Sequence, residues 1–164
     1  MSRVVVGKIV EIIEHPFGKG NLTSDGVQWS AEATSTLGTY VDVESITINQ
    51  ITPAGGPGGE GTLIEVEFGI TWAQKCDGAT DKAVGKIQAR NKDGTWTDLM
   101  TEVTNDTAGT TYEEKTYSGR FETVTNFQKV PFDVKVMVKS NGTTNNAIGK
   151  VKNSSYVKCI YRIA

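Results

Sequence analysis

The stretch from Thr62 to Ala73, TLIEVEFGITWA, most constrains the fold, because Ile64, Val66, Phe68, Ile70 and Trp72 fall on every second position while Glu65, Glu67 and Thr71 fill the gaps. Side chains on a strand point alternately to opposite faces, so this period puts large apolar groups on one face and carboxylates and a hydroxyl on the other. At about 1.5–3 kcal/mol for each large side chain fully buried, the apolar face contributes roughly 7–15 kcal/mol, an upper bound before chain entropy is subtracted. A face of this kind needs a second layer packed on it. The spacing therefore predicts a central strand of a β-sandwich.

Two other stretches repeat the logic. Pro131 to Ser140 turns Phe132, Val134, Val136 and Val138 to one side and Asp133, Lys135 and Lys139 to the other, and Tyr156 to Ala164 aligns Val157, Cys159, Tyr161 and Ile163. With the first strand these define the expected inward set. Val4 to Ile13 is rich in β-branched residues and reads as a strand, with Gly7 marking a bend and His15-Pro16 its end. Phe17 to Gly26 reads as a loop, and Val27 to Ala33 as a short strand. Tyr40 to Thr52 has two apolar phases, Val41 and Val43, then Ile46 and Ile48, so a bulge is predicted near Glu44-Ser45. Pro53 to Gly61, PAGGPGGEG, is a flexible connection too short for a crossover helix. Lys75 to Lys82 reads as a loop, and Ala83 to Asn91 as a strand that enters Thr95 to Met100 through an Asp-Gly turn at Lys92-Asp93-Gly94. Asn105 to Gly109 is a turn, Thr110 to Tyr117 a polar strand, Arg120 to Val124 a short one, and Asn141 to Gly149 a turn-rich loop. Roughly eight or nine strands, without an amphipathic helix or a fixed repeat, give an all-β fold: an antiparallel β-sandwich of jelly-roll or related Greek-key type. The expected layout is a single domain over residues 1–164, with residues 1–16 as an N-terminal arm or edge strand.

Composition narrows the function. A net charge of −2 and a pI near 5.5 supply no basic face for phosphates, which argues against a nucleic-acid partner. The N-terminal run is interrupted by Lys8, Glu11 and Glu14 and is followed by no small-residue cleavage site, so neither a secretory signal nor a membrane span is expected. Cys76 and Cys159 lie far apart, and Cys159 alternates in phase with apolar neighbours; buried free thiols are the expectation.

No motif carries catalytic chemistry. His15 is the only histidine and sits beside a proline, which leaves a Ser-His-Asp or Cys-His arrangement without support; one His and two scattered Cys give no zinc set. Gly56 to Gly61 matches G-x-G-x-x-G, but a strand follows instead of a helix N-terminus, and Glu60 would repel a phosphate. Asp77 with Asp81, and Asp93 with Asp98, could offer calcium oxygens; none has EF-hand spacing, and turn aspartates are the plainer reading. Glu65 and Glu67 share a strand face at about 6–7 Å, as any polar sheet face allows. Trp29, Trp96, Tyr112 and Tyr117 lie in or beside turns and polar strands, where rings finish a core, anchor an interface or stack on a sugar. No enzyme activity, cofactor or metal is expected.

The order SDGVQWSAEAT, YVDVESITI, TLIEVEFGITW, GTWTDL and SYVKCIYRI, from about Ser24 onward, resembles the small all-β accessory proteins of tailed-virus particles, namely head decoration (cement) proteins and related tail-surface sandwiches. The resemblance implies a capsid-bound, homotrimeric β-sandwich on the virion surface, made in the host cytoplasm, that covers or reinforces a protein lattice, with the N-terminal strand as an arm. In that reading Val4, Val5, Val6, Ile9, Val10, Ile12 and Ile13, apolar on both strand faces, form the assembly interface. The same layout also resembles carbohydrate-binding or tail-adhesion modules, which would use the exposed aromatic residues.

Overall fold

The computed structural model describes residues 9–17, 20–22, 28–49, 62–121 and 131–163. Val4, Val5 and Val6, the glycine-rich connection and the 122–124 end of the expected short strand lie outside them. The described residues contain no helix, and hence none long and apolar enough to cross a membrane. They form thirteen strands: β1 (Ile9–Pro16), β2 (Gly20–Leu22), β3 (Gln28–Ser30), β4 (Ala33–Thr34), β5 (Val41–Ile48), β6 (Thr62–Cys76), β7 (Ala83–Asn91), β8 (Thr97–Asp98), β9 (Val103–Thr104), β10 (Glu113–Phe121), β11 (Phe132–Ser140), β12 (Ala147–Val151) and β13 (Tyr156–Ile163). Eight of these have five residues or more, which matches the expected number; the rest are two- or three-residue pairings at the margins.

The long strand β6 organises the first sheet. Along one edge it pairs with β13, from Tyr156 opposite Gly69 to Arg162 opposite Thr62, and then with β12, from Ala147 opposite Cys76 to Val151 opposite Trp72. Both run antiparallel to β6, so β12 and β13 are two halves of one strand interrupted at Lys152 to Ser155. At the break the Thr71 amide donates to Ser155 Oγ at 2.9 Å and Ser155 Oγ donates to the Thr71 carbonyl at 3.1 Å, so a side chain replaces the missing ladder. β10 pairs along the other edge of β6, β1 lies beyond β13, and β4 beyond β12. The second sheet runs β5-β11-β7, with β8 and β9 both on the far edge of β7. β2 and β3 form a separate hairpin.

All pairings are antiparallel, and the fold is the expected β-sandwich. Its core packs Val66, Phe68, Ile70 and Trp72 from β6, with Val157, Cys159 and Tyr161 from β13, together with Ile87, Ala89, Phe132, Val134, Val136 and Val138 of the other sheet. Ile64 is the exception. The register slips between Ile160 opposite Glu65 and Tyr161 opposite Leu63, so Leu63 is buried and Ile64 is half-exposed. The strand also continues past Ala73 to Cys76, in phase, and buries Gln74. Gln74 Oε1 accepts the Trp72 indole N–H at 2.7 Å, while its amide nitrogen shares its two hydrogens among Asn105 Oδ1 at 2.9 Å, Val103 O at 3.0 Å and Ala83 O at 3.1 Å.

The predicted bulge in β5 is present one residue early. Val136 faces Glu44 and Met137 faces Asp42, which leaves Val43 as the extra residue and lets both apolar phases pack on the core. The Asp-Gly turn forms as expected, closed by Gly94 N to Asn91 O at 2.7 Å with Asp93 at φ +64°. β1 runs through His15 and ends at Pro16, as expected, with the proline at an edge position. Arg120 and Phe121 continue β10 without a break from the polar strand.

Candidate functional site

The outer face of the first sheet carries a cleft of about 240 Å³ lined by Glu67, Phe68, Ser118, Gly119, Arg120 and Tyr156. It arises from register. Tyr156 stands opposite Gly69, and its ring lies over the bare backbone there: a Cβ on Gly69 would sit 2.6 Å from Tyr156 Cε1 and Cζ. Ser118 faces the same glycine from β10, and Gly119 faces Phe68. Around the rim, Arg120 makes a bidentate pair with Glu65, its Nη2 3.1 Å from Oε2 and its Nε on Oε1, while Lys158 Nζ lies 3.7 Å from Glu67 and 5.1 Å from the Tyr156 ring centroid. Glu65 and Glu67, raised in the sequence as a paired-acid candidate, therefore each face a cation.

The four candidate aromatics divide. Lys150 Nζ lies 4.8 Å from the Trp29 ring and 4.3 Å from the Tyr112 ring, and so joins these two; Lys152 and Lys75 flank them at 5.6 and 4.4 Å. Trp29 is only 8% exposed. The Tyr112 phenol donates to Glu32, and burial, with Glu32 beside it, pushes its ionisation well above the ordinary range. Trp96 belongs to the other sheet, where Arg90 and Lys135 sit 4.4 and 4.1 Å from its ring and are themselves held by Asp133 at 2.9 Å and Asp42 at 3.2 Å. Tyr117 packs on Phe68, ring centroids 6.0 Å apart, and burial raises its phenol. Sequence reasoning passed over Tyr156; the signal was a glycine inside a strong strand pattern, which marks a close approach.

The loop acids serve the loops. Asp81 Oδ2 accepts the amides of Asn145 at 2.7 Å and Thr144 at 3.0 Å, which holds its carboxyl below the usual range despite desolvation, and Asp77 accepts from the Asn146 amide at 2.9 Å. Asp98 accepts from Gln88 at 2.7 Å and pairs with Lys86 at 3.1 Å. Among the described residues no three His, Cys, Asp or Glu side chains converge on a metal-sized space. Cys76 and Cys159 are buried free thiols, and burial pushes Cys159 up to about 12, far from a reactive thiolate.

At the sheet's margin β1 pairs with β13 from Ile9 opposite Ile163 to Pro16 opposite Tyr156. Among the described residues it has a strand partner on that side alone. Ile12 is 59% exposed and stands opposite Ile160; the side chains of Ile9, Val10 and Ile13 lie outside the described set.

No family model matches the sequence, and no curated protein matches it. Solved structures share the fold. A chain from the structure of infectious bursal disease virus, Gx strain, superposes with a TM-score of 0.50 at 9% identity, covering 94% of this chain and 37% of that one. Infectious bursal virus derived T=1 particles give 0.49 at 8% identity (94% and 36%), and the VP2 subviral particle of infectious bursal disease virus gives 0.48 at 9% (93% and 37%). This chain thus spans a little over a third of those chains. At 9% identity the likeness to the Gx-strain chain is one of fold.

Proposed function

We propose that this chain is a non-enzymatic structural protein of a virus particle that works by assembly, as a decoration or cement protein docked on a protein shell. The observation that carries the reading is the fold likeness to the Gx-strain virus chain, which extends over 94% of this sequence. The edge strand β1 supports it. Among the described residues β1 has a strand partner on one side only, and such an edge with an exposed Ile12 invites strand addition or apolar docking; the sequence before it, Val4 to Val6, is apolar. In this reading the assembly is a homotrimer that uses Val4, Val5, Val6, Ile9, Val10, Ile12 and Ile13, with the lattice protein as its second partner and neither nucleic acid nor membrane involved.

Light scattering on the full chain tests it, with Ile12→Asp and a chain lacking residues 1–14 alongside. The expected result is a species of three-chain mass for the full chain and a smaller one for both variants. Ile12→Asp is the cleaner probe, because a change at an exposed position shifts stability by no more than about 0.5 kcal/mol. A monodisperse monomer for the full chain at every concentration refutes the reading.

A further inference from the structure

We propose that the cleft beneath Tyr156 is a binding site for a neutral saccharide unit, seated on the tyrosine ring and hydrogen-bonded by Glu67, Ser118 and Arg120. This is independent of the assembly reading. Three observations point to this ligand class. The first is shape: about 240 Å³ is smaller than drug-sized pockets and suits one pyranose ring of about a dozen non-hydrogen atoms. The second is the ring. Tyr156 lies over the Gly69 backbone and is only half-buried, so its outward side borders the cleft and can take a flat ligand.

The third is charge. Glu65 and Glu67 are balanced by Arg120 and Lys158, so the rim carries no net charge and favours neither an anion nor a cation. It still alternates carboxylate acceptors, guanidinium and ammonium donors and the Ser118 hydroxyl, which is the mixture that vicinal sugar hydroxyls satisfy, since each both donates and accepts. Arg120 is 58% exposed and Glu67 about a third exposed, so both reach a ligand without leaving the sheet. The aromatics raised from sequence fit less well. Trp96 already holds both Arg90 and Lys135 at 4.4 and 4.1 Å and Trp29 is nearly buried, whereas on the Tyr156 ring a sugar has Lys158 to displace, 5.1 Å from the centroid.

Titration of the full chain with methyl glycosides of glucose, galactose, mannose and N-acetylglucosamine, followed by saturation-transfer NMR, tests the site. At least one glycoside should bind saturably in the millimolar range. Tyr156→Ala should weaken it at least about tenfold, the loss of one ring contact. Tyr156→Phe should retain it, Glu67→Gln should weaken it, and Trp96→Ala should leave it unchanged. Because Tyr156→Ala uncovers Gly69 and can unfold the sheet, Glu67→Gln, read beside an unchanged melting curve, decides the matter if that variant fails to fold. Absence of binding for every glycoside, binding abolished by Trp96→Ala, or binding indifferent to Glu67→Gln overturns the proposal.

Discussion

Gln74 is the most exacting test of the core, because it is a fully buried amide in a layer of large apolar side chains. Replacing it by Met keeps length and approximate volume and removes every hydrogen bond of the side chain. The Trp72 indole N–H loses its acceptor and Asn105 Oδ1 loses a donor; the Ala83 carbonyl keeps the Asn105 amide at 2.8 Å, the Val103 carbonyl stays in the β7–β9 pairing opposite Gly85, and Asn105 Nδ2 keeps the Gln74 carbonyl at 2.9 Å. Two groups are thus stranded at about 1–3 kcal/mol each; taking the lower half of that range gives a loss of about 2–4 kcal/mol. For a chain of this size that corresponds to a fall in Tm of about 4–16 °C. Urea denaturation of Gln74→Met beside Gln88→Met supplies an internal control, because Gln88 bonds Asp98 on the outer face and its loss should cost under about 1 kcal/mol. Adding Trp72→Phe to Gln74→Met removes the stranded N–H, so the double variant should lose less than the sum of the singles by about 1 kcal/mol or more. Equal, small effects for both glutamines, or strict additivity with Trp72→Phe, would show that water or local relaxation satisfies these groups and that the reasoning is wrong.

Two further outcomes follow from the same geometry. Phe68→Ala should cost about 3–5 kcal/mol by urea denaturation, as buried Phe truncations do, because Tyr117 and Phe121 pack on the ring and cannot both collapse into the space; under 1 kcal/mol would refute that packing. The Glu113 carboxyl is opposed by burial but held down at about 2 by the amides of Thr107 and Asp106 and by Lys115, so its stabilisation is complete above its ordinary value of 4.5 and is lost as pH falls toward 2. Discounted for solvent screening this is about 1 kcal/mol, so the stability gap between the wild type and Glu113→Gln in melts at pH 6 should close on approaching pH 2, and a gap constant across that window refutes it.

Strand periodicity made the sandwich legible, because a period of two can be read from one strand without knowing its partner. The bulge in β5 was legible for the same reason: Val41 and Val43 are out of phase with Ile46 and Ile48, and only an extra residue reconciles them. The bulge at the start of β6 was silent. Leu63 and Ile64 are both apolar, so either phase reads as a core face, and the choice is made by the slip of β13 between Ile160 and Tyr161. Gln74 was illegible for a different reason. A polar residue at an inward position looks like the end of a strand until its partners are known, and these come from β7, β9 and the turn after it. The cleft beneath Tyr156 was hidden likewise, since pairing register sets Tyr156 on Gly69 and neither residue announces the other.

The two outer faces and the sheet edges differ in what a partner would have to displace. Beside Trp96 on the second sheet, Lys86 and Lys139 lie 4.6 Å from the Tyr40 ring and pair with Asp98 and Glu102 at 3.1 and 3.5 Å, so that face is a network of cations already engaged by rings and carboxylates. A partner docking flat on it must break such pairs before it gains any, and charge pairs of this kind offer little in return. At β1 and β10 the cost is absent: among the described residues each has a strand partner on one side only, and an added strand gains ladder hydrogen bonds without dismantling an ion pair. β10 carries Glu113, Glu114, Lys115 and Arg120, and β1 carries Glu11, Glu14 and Pro16, all of which blunt pairing, but of the two only β1 presents an exposed large apolar side chain among the described residues, Ile12. Under the assembly reading the shared edge therefore belongs to β1, and Ile12→Asp should disturb association more than any single substitution on β10.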